Sequence, residues 1–181
     1  MVETIKQTEA IPDEYPDLGS PSPLSNAAQA LDQEALWQRL ESFVAYRWTE
    51  RDVEWIVEGC GEWVPPLQPA TISAVERWTS NNSWEAITPD ASPRGGYCLP
   101  GGTYRFTASV GGGTVPAAVL EAFRRLAEYT AARPMSQAGI ASESVTAGSV
   151  SISRRMSPSA IGEGMANSGA GDLLRRYRRV S

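Results

Sequence analysis

Protein chemistry at neutral pH leans most heavily on histidine, and this chain of 181 residues has none. That absence removes Ser-His-Asp and Cys-His nucleophile pairs, histidine-ligated zinc and the usual proton shuttle. Its two cysteines, Cys60 and Cys98, are too few for an all-cysteine zinc site and form no C-x-x-C, so reduced, packed thiols are expected, with a bridge between them as the alternative. Glu54, Glu58 and Glu62 come nearest to a carboxylate cluster. In an extended segment, however, their parity sets them opposite Val53, Trp55 and Val57, on the solvent side. Gly111-Gly112-Gly113 has no lysine after it and does not complete G-x-G-x-x-G, so it reads as a strand-to-helix junction rather than a phosphate loop. The six tryptophans (Trp37, Trp48, Trp55, Trp63, Trp78 and Trp84) could stack on sugars or bases. Five of them, however, fall beside predicted strands or turns, where indoles cover small sheets. No constellation for a reaction emerges, and no metal or cofactor is expected. Binding or assembly is the remaining class.

Charge sharpens that reading. The net charge of −5 conceals a gradient: residues 1–34 hold seven acids against Lys6, whereas residues 154–181 hold six arginines against Glu163 and Asp172. Arginine suits protein interfaces and phosphate equally, because its planar fork of donors stays charged when buried. Opposite charge at the two ends points to end-specific partners. No run approaches the roughly 18 apolar residues of a membrane span, and the N-terminus lacks a basic–apolar leader, so a soluble, unsecreted protein is expected.

The elements that would position these residues follow from periodicity and punctuation. Residues 1–30 read as a flexible acidic arm, interrupted by Pro12, Pro16, Pro21 and Pro23. Asp32 caps a predicted helix over about 33–45, with Leu36, Leu40, Phe43 and Val44 at helical spacing. Strands are predicted over 53–57, 70–78, 84–88 and 104–110, separated by the proline loop 64–69, the turn 79–83 and the loop 89–102. These make a small antiparallel sheet of about four strands. Thr114 is the expected cap of a second helix, with Pro116 in its first turn and Val119, Ala122, Phe123, Leu126 and Thr130 along one face. Pro134 closes it. Residues 135–149 read as a linker, Val150 and Ile152 as a short strand open to pairing with another chain, and Ser157-Pro158 as a helix start. The fold class expected is α+β: a small helical bundle with an inserted antiparallel sheet or hairpin, and extended N- and C-terminal arms.

Four segments, taken in order, then carry a resemblance. They are Trp48–Gly59 (WTERDVEWIVEG), Pro93–Gly102 (PRGGYCLPGG) leading into the Tyr104–Gly113 strand, Val115–Tyr129 (VPAAVLEAFRRLAEY), and Asn167–Arg179 (NSGAGDLLRRYRR). Together they resemble the head–tail adaptor (connector) proteins of tailed phages, in particular the gene-transfer-agent form, over roughly residues 35–181. The resemblance implies a non-enzymatic virion protein of the head–tail junction, assembled in the host cytoplasm. It implies a homo-oligomeric ring, a dodecamer, beneath the portal protein. A next neck or tail protein (stopper, terminator or tail nozzle) would follow, and genome DNA would pass through the lumen without sequence-specific binding; no membrane is involved. It implies that residues 31–134 are the adaptor core and 135–181 a linker and portal-docking segment. The docking residues carried over are Leu173, Leu174, Arg175, Arg176, Tyr177, Arg178 and Arg179. Leu173, Leu174 and Tyr177 are spaced i, i+1, i+4, so Leu173 and Tyr177 would share a helical face and anchor while the arginines set register. The competing reading is a non-enzymatic nucleic-acid-binding or regulatory module with a basic C-terminal tail.

Overall fold

The computed structural model describes residues 1–19, 22–132, 142–147, 150–155 and 164–178. The fold is α+β, and the chain divides into two units. A β unit is built from Met1–Pro16 and Ala45–Thr114, and a helical unit from Asp17–Val44 and Val115–Arg178.

In the helical unit, α1 (Asn26–Gln29) and α2 (Gln33–Phe43) start at side-chain caps. Asp32 accepts the Ala35 N–H at 3.0 Å, as its position ahead of the helical pattern predicts. Helix α3 (Ala117–Ala131) buries Val119, Ala122, Phe123, Leu126 and Ala127. Trp37 of α2 lies on Phe123 with ring centroids 4.5 Å apart, an arrangement worth about 0.5–1.5 kcal/mol beyond burial. The expected Thr114 cap is not used. Pro116 itself stands at the cap in extended conformation, with no side-chain bond, and its carbonyl accepts from Val119 and Leu120. Helices α4 (Gly164–Asn167) and α5 (Ala170–Leu173) pack on α3. Gly171 permits a close approach there, since a Cβ would lie 3.2 Å from the Met165 carbonyl and 3.3 Å from the Phe43 ring and both would have to give way slightly. Two antiparallel strands, β9 (Ser142–Ala147) and β10 (Val150–Arg155), precede these helices. Part of the expected linker is therefore a strand, and the 150–155 strand pairs within its own chain. The Pro134 stop and the Ser157-Pro158 helix start lie outside the described residues.

In the β unit, β1 (Val2–Glu9), β2 (Arg51–Gly59), β4 (Ala70–Trp78), β5 (Trp84–Ala86) and β8 (Thr103–Val110) form an antiparallel sheet in the order β1-β2-β8-β4-β5. A second sheet, β3-β7-β6, joins Gly61–Trp63, Tyr97–Leu99 and Asp90–Ala91. Register places Val53, Trp55 and Val57 opposite Ala108, Phe106 and Tyr104, and these six side chains are the centre of the core. Trp63 closes over them, 4.2 Å from the Phe106 ring. Two sheets thus stand where a single sheet of about four strands is expected, and one added strand comes from the segment read as a flexible arm. Val2–Glu9 is a paired strand, held to β2 chiefly by backbone and side-chain hydrogen bonds, which leave little trace in the hydrophobic pattern.

Candidate partner-docking site at the C-terminus

The sequence singles out the last residues for docking, and the structure builds them on a short support. Helix α5 ends at Leu173. Leu174 is the cap residue, and Arg175–Tyr177 continue as a 3-10 turn, with Tyr177 N–H donating to the Leu174 carbonyl at 2.9 Å. The shared α-helical face expected for Leu173 and Tyr177 is thereby broken. In a three-residue turn, Leu174 and Tyr177 superimpose instead. Leu174 is 0% exposed and belongs to the interior of the helical unit, whereas Leu173 and Tyr177 are half-buried. The apolar anchor of this end is spent on the chain's own fold.

The guanidinium groups face outward. Arg175 pairs with Asp172 at 3.0 Å, both side chains largely exposed, an arrangement worth at most about 1 kcal/mol. Arg176 lies 5.2 Å from the Tyr177 ring centroid, and Arg178 lies 4.6 Å from that of Phe43, on α2. Arg179 lies outside the described residues. The structure therefore brings together three exposed arginines on a turn pinned from below by Leu174. Asp172 and Phe43 are the members that sequence reasoning missed. Asp172 was legible as an i, i+3 partner of Arg175, but Phe43, more than 130 residues away, had no local signal.

A second polar constellation supports the same unit. Glu128 of α3 accepts the Ser25 backbone N–H at 2.7 Å and the Ser25 hydroxyl at 2.8 Å, and that hydroxyl in turn accepts the Ala28 N–H. These bonds, the backbone one first, hold the Glu128 carboxyl below its ordinary value. Glu121 takes hydrogen bonds from Arg124 and Arg125, which lower its pKa to about 2.

Elsewhere the other sequence candidates sort clearly. Glu58 is exposed and Glu54 half-exposed on the outer sheet face, while Glu62 accepts from Ser92 and Arg94 in the hairpin beside it. Cys60 and Cys98 are free and exposed, not packed. Trp37, Trp48, Trp55 and Trp63 are buried, but Trp78 is 42% exposed, edge-on to Trp84 at 5.0 Å. Gly111, Gly112 and Gly113 all have positive φ, and a Cβ on Gly111 would strike the Thr49 carbonyl, which explains the glycines structurally. Among the described residues no group of His, Cys, Asp or Glu could hold a metal, and no helix is long and apolar enough to cross a membrane.

No family model matches the chain, and no curated protein does. Among solved structures it is similar to a chain of a structure described as "Virion of native gene transfer agent (GTA) particle". The two are 12% identical, with 100% of this chain and 96% of that chain covered and a TM-score of 0.49, a likeness too distant to fix a fold or a role.

Proposed function

We propose that this protein is a non-enzymatic structural component of a tailed-phage or gene-transfer-agent particle, a head–tail adaptor. Its copies form a ring, dodecameric by the resemblance, beneath the portal at the head–tail junction and receive the next neck or tail protein. The observation that carries this reading is the outward-facing set Arg175, Arg176 and Arg178 on a turn fastened by the buried Leu174. The docking surface is accordingly the arginines with the half-buried Tyr177 and Leu173. Leu174 holds that surface in shape from inside, and Arg179 extends the charged run. Paired with acidic groups of a portal, each such contact is modest, but a ring of subunits multiplies it through effective concentration.

The test is charge reversal at the three exposed positions. The triple variant Arg175→Glu, Arg176→Glu, Arg178→Glu should melt close to the parent protein yet lose at least tenfold in co-assembly with its portal, counted by native mass spectrometry. Parental co-assembly by that variant would overturn the reading. So would parental binding to duplex DNA at physiological salt that the variant loses, which would instead make the chain a nucleic-acid-binding module.

A further inference from the structure

The outer face of the five-stranded sheet ends in two tryptophans that the core does not use. Trp78 and Trp84 pair across the β4–β5 hairpin, edge-on at 5.0 Å, and Trp78 keeps 42% of its surface exposed. The indoles are held from one side. Arg105 of β8 lies 4.7 Å from the Trp84 ring centroid, and its Nε donates to Glu76 at 2.7 Å. An exposed indole fixed in this way is a preformed binding surface, since little side-chain freedom is lost when a ligand covers it. The turn beside it, Thr79-Ser80-Asn81-Asn82-Ser83, carries hydroxyls and amides and no charge. Thr79 and Ser83 close on each other, whereas the side chains of Ser80, Asn81 and Asn82 are unengaged among the described residues.

The same face continues into a groove. Beyond Arg105 on β8, an open hollow of about 430 Å³ is lined by Thr8, Glu54, Thr71, Thr107 and Ser109. Its concavity comes from β4, where the register shift between Ile72 and Ala74 leaves Ser73 as an extra residue, donating to the Thr107 carbonyl at 3.0 Å. Ala74 stands opposite Thr107, so the groove and Trp78 are four residues apart along β4, about 13 Å. The hydroxyls of Thr8, Thr71, Thr107 and Ser109 and the Glu54 carboxylate have no hydrogen bond or ion pair among the described residues.

Stacking, hydrogen bonding and charge together choose the occupant. An indole face is electron-rich and attracts the weakly positive C–H groups on the flat side of a sugar ring. Unengaged hydroxyls, amides and a carboxylate are the partners that neighbouring sugar hydroxyls need, the carboxylate accepting two at once. Charge excludes the other common stacking ligand, a nucleic-acid strand. Arg105 is already paired with Glu76, and Asp52 and Glu54 in the groove repel phosphate. We propose that this face binds an uncharged polysaccharide, with one sugar stacked on Trp78 and the chain continuing into the groove beside Glu54. The ligand is a polymer rather than a free sugar because indole and groove lie further apart than one ring reaches. The site belongs to the β unit, whereas Arg175, Arg176 and Arg178 belong to the helical unit, so it is separate from the proposed docking surface.

The test is isothermal titration of the full-length protein with glucan, mannan and chitin tetrasaccharides. Their monosaccharides, a heparin tetrasaccharide and oligothymidine are titrated alongside. At least one uncharged tetrasaccharide should bind, at least tenfold more tightly than its own monosaccharide. Trp78→Ala, a change at an exposed position, should melt with the parent and lose at least tenfold in that affinity. Glu54→Gln should weaken it at least threefold. Absence of binding to every uncharged tetrasaccharide at millimolar concentration would overturn the proposal, as would equal affinity for the monosaccharide or binding that survives Trp78→Ala. Binding of oligothymidine or heparin in their place would overturn it too, by making the face an anion site. Titration uses this protein without a portal, so its failure and a failure of portal docking are told apart.

Discussion

Glu9 sets one carboxylate against two buried guanidinium groups, and the asymmetry of buried ion pairs decides what its loss does. Losing a charged acceptor from buried donors costs more than the pair contributes, although Arg47 and Arg51 keep their bonds to the Tyr46 and Thr49 carbonyls. Glu9→Ala is therefore predicted to lower the unfolding free energy by about 1–3 kcal/mol, less than for a fully enclosed pair because Glu9 keeps 20% of its side-chain exposure. Chemical denaturation followed through the tryptophans measures it, and a loss under about 0.5 kcal/mol, ordinary for a surface site, would contradict it. A pH prediction belongs at the same scale. Glu121 has its pKa lowered from 4.5 to about 2, and Glu128 is shifted the same way. In both, the folded form holds the proton less tightly than the unfolded chain. Their contribution is therefore present above the unfolded value and lost as pH falls toward the folded one. Stability should decline between about pH 4.5 and 2 by a modest amount, since Glu121 is a third exposed and solvent screens its pairs. Glu121→Gln should flatten that decline in acid melts; an unchanged acid limb would show that the pairs with Arg124 and Arg125 stabilise nothing.

At the scale of elements, Leu173 and Leu174 are neighbours of identical chemistry with different fates. Leu174→Ala removes a fully buried side chain and is predicted to cost about 2–5 kcal/mol. Leu173→Ala, at a half-buried position, should cost about 1 kcal/mol or less. Thermal melts rank them, and equal costs would mean that the α5 support is not packed as described. That distinction was not available in the sequence, where both leucines look alike, because which one turns inward depends on where α5 gives way to a 3-10 turn. Other elements were legible. Asp32 ahead of an apolar period marks α2, the boundaries of β4 fall at 70–78 as predicted, and strict alternation marks β8. The strand β1 escaped detection because its apolar residues are only Val2 and Ile5, and its specificity lies in indoles and arginines forty to sixty residues away. Short β3, β6 and β7 are set by one another's edges rather than by any period of their own. The candidate site was legible as a run of arginines, but not in its division between inward and outward residues.

Across the whole molecule, net charge alone does not choose between the two partners that the C-terminal arginines could serve. The chain carries −5 overall, yet residues 154–181 hold six arginines against two acids, so the tail itself attracts acidic side chains and phosphates alike over the short range that screening leaves. Under the proposed adaptor role the tail pairs with a few acidic side chains of a folded partner and does not hold duplex DNA, and salt dependence separates the two. If Arg175, Arg176, Arg178 and Arg179 gripped duplex phosphates, association would weaken with salt along a log–log slope near about −3.6. The prediction is that labelled duplex DNA shows no association by fluorescence anisotropy at about 0.15 M ionic strength, while binding to portal assemblies persists there and weakens only at higher salt. Duplex binding at that ionic strength with a slope near the four-arginine value would mean that the tail is a phosphate clamp, and the adaptor reading would fall with it.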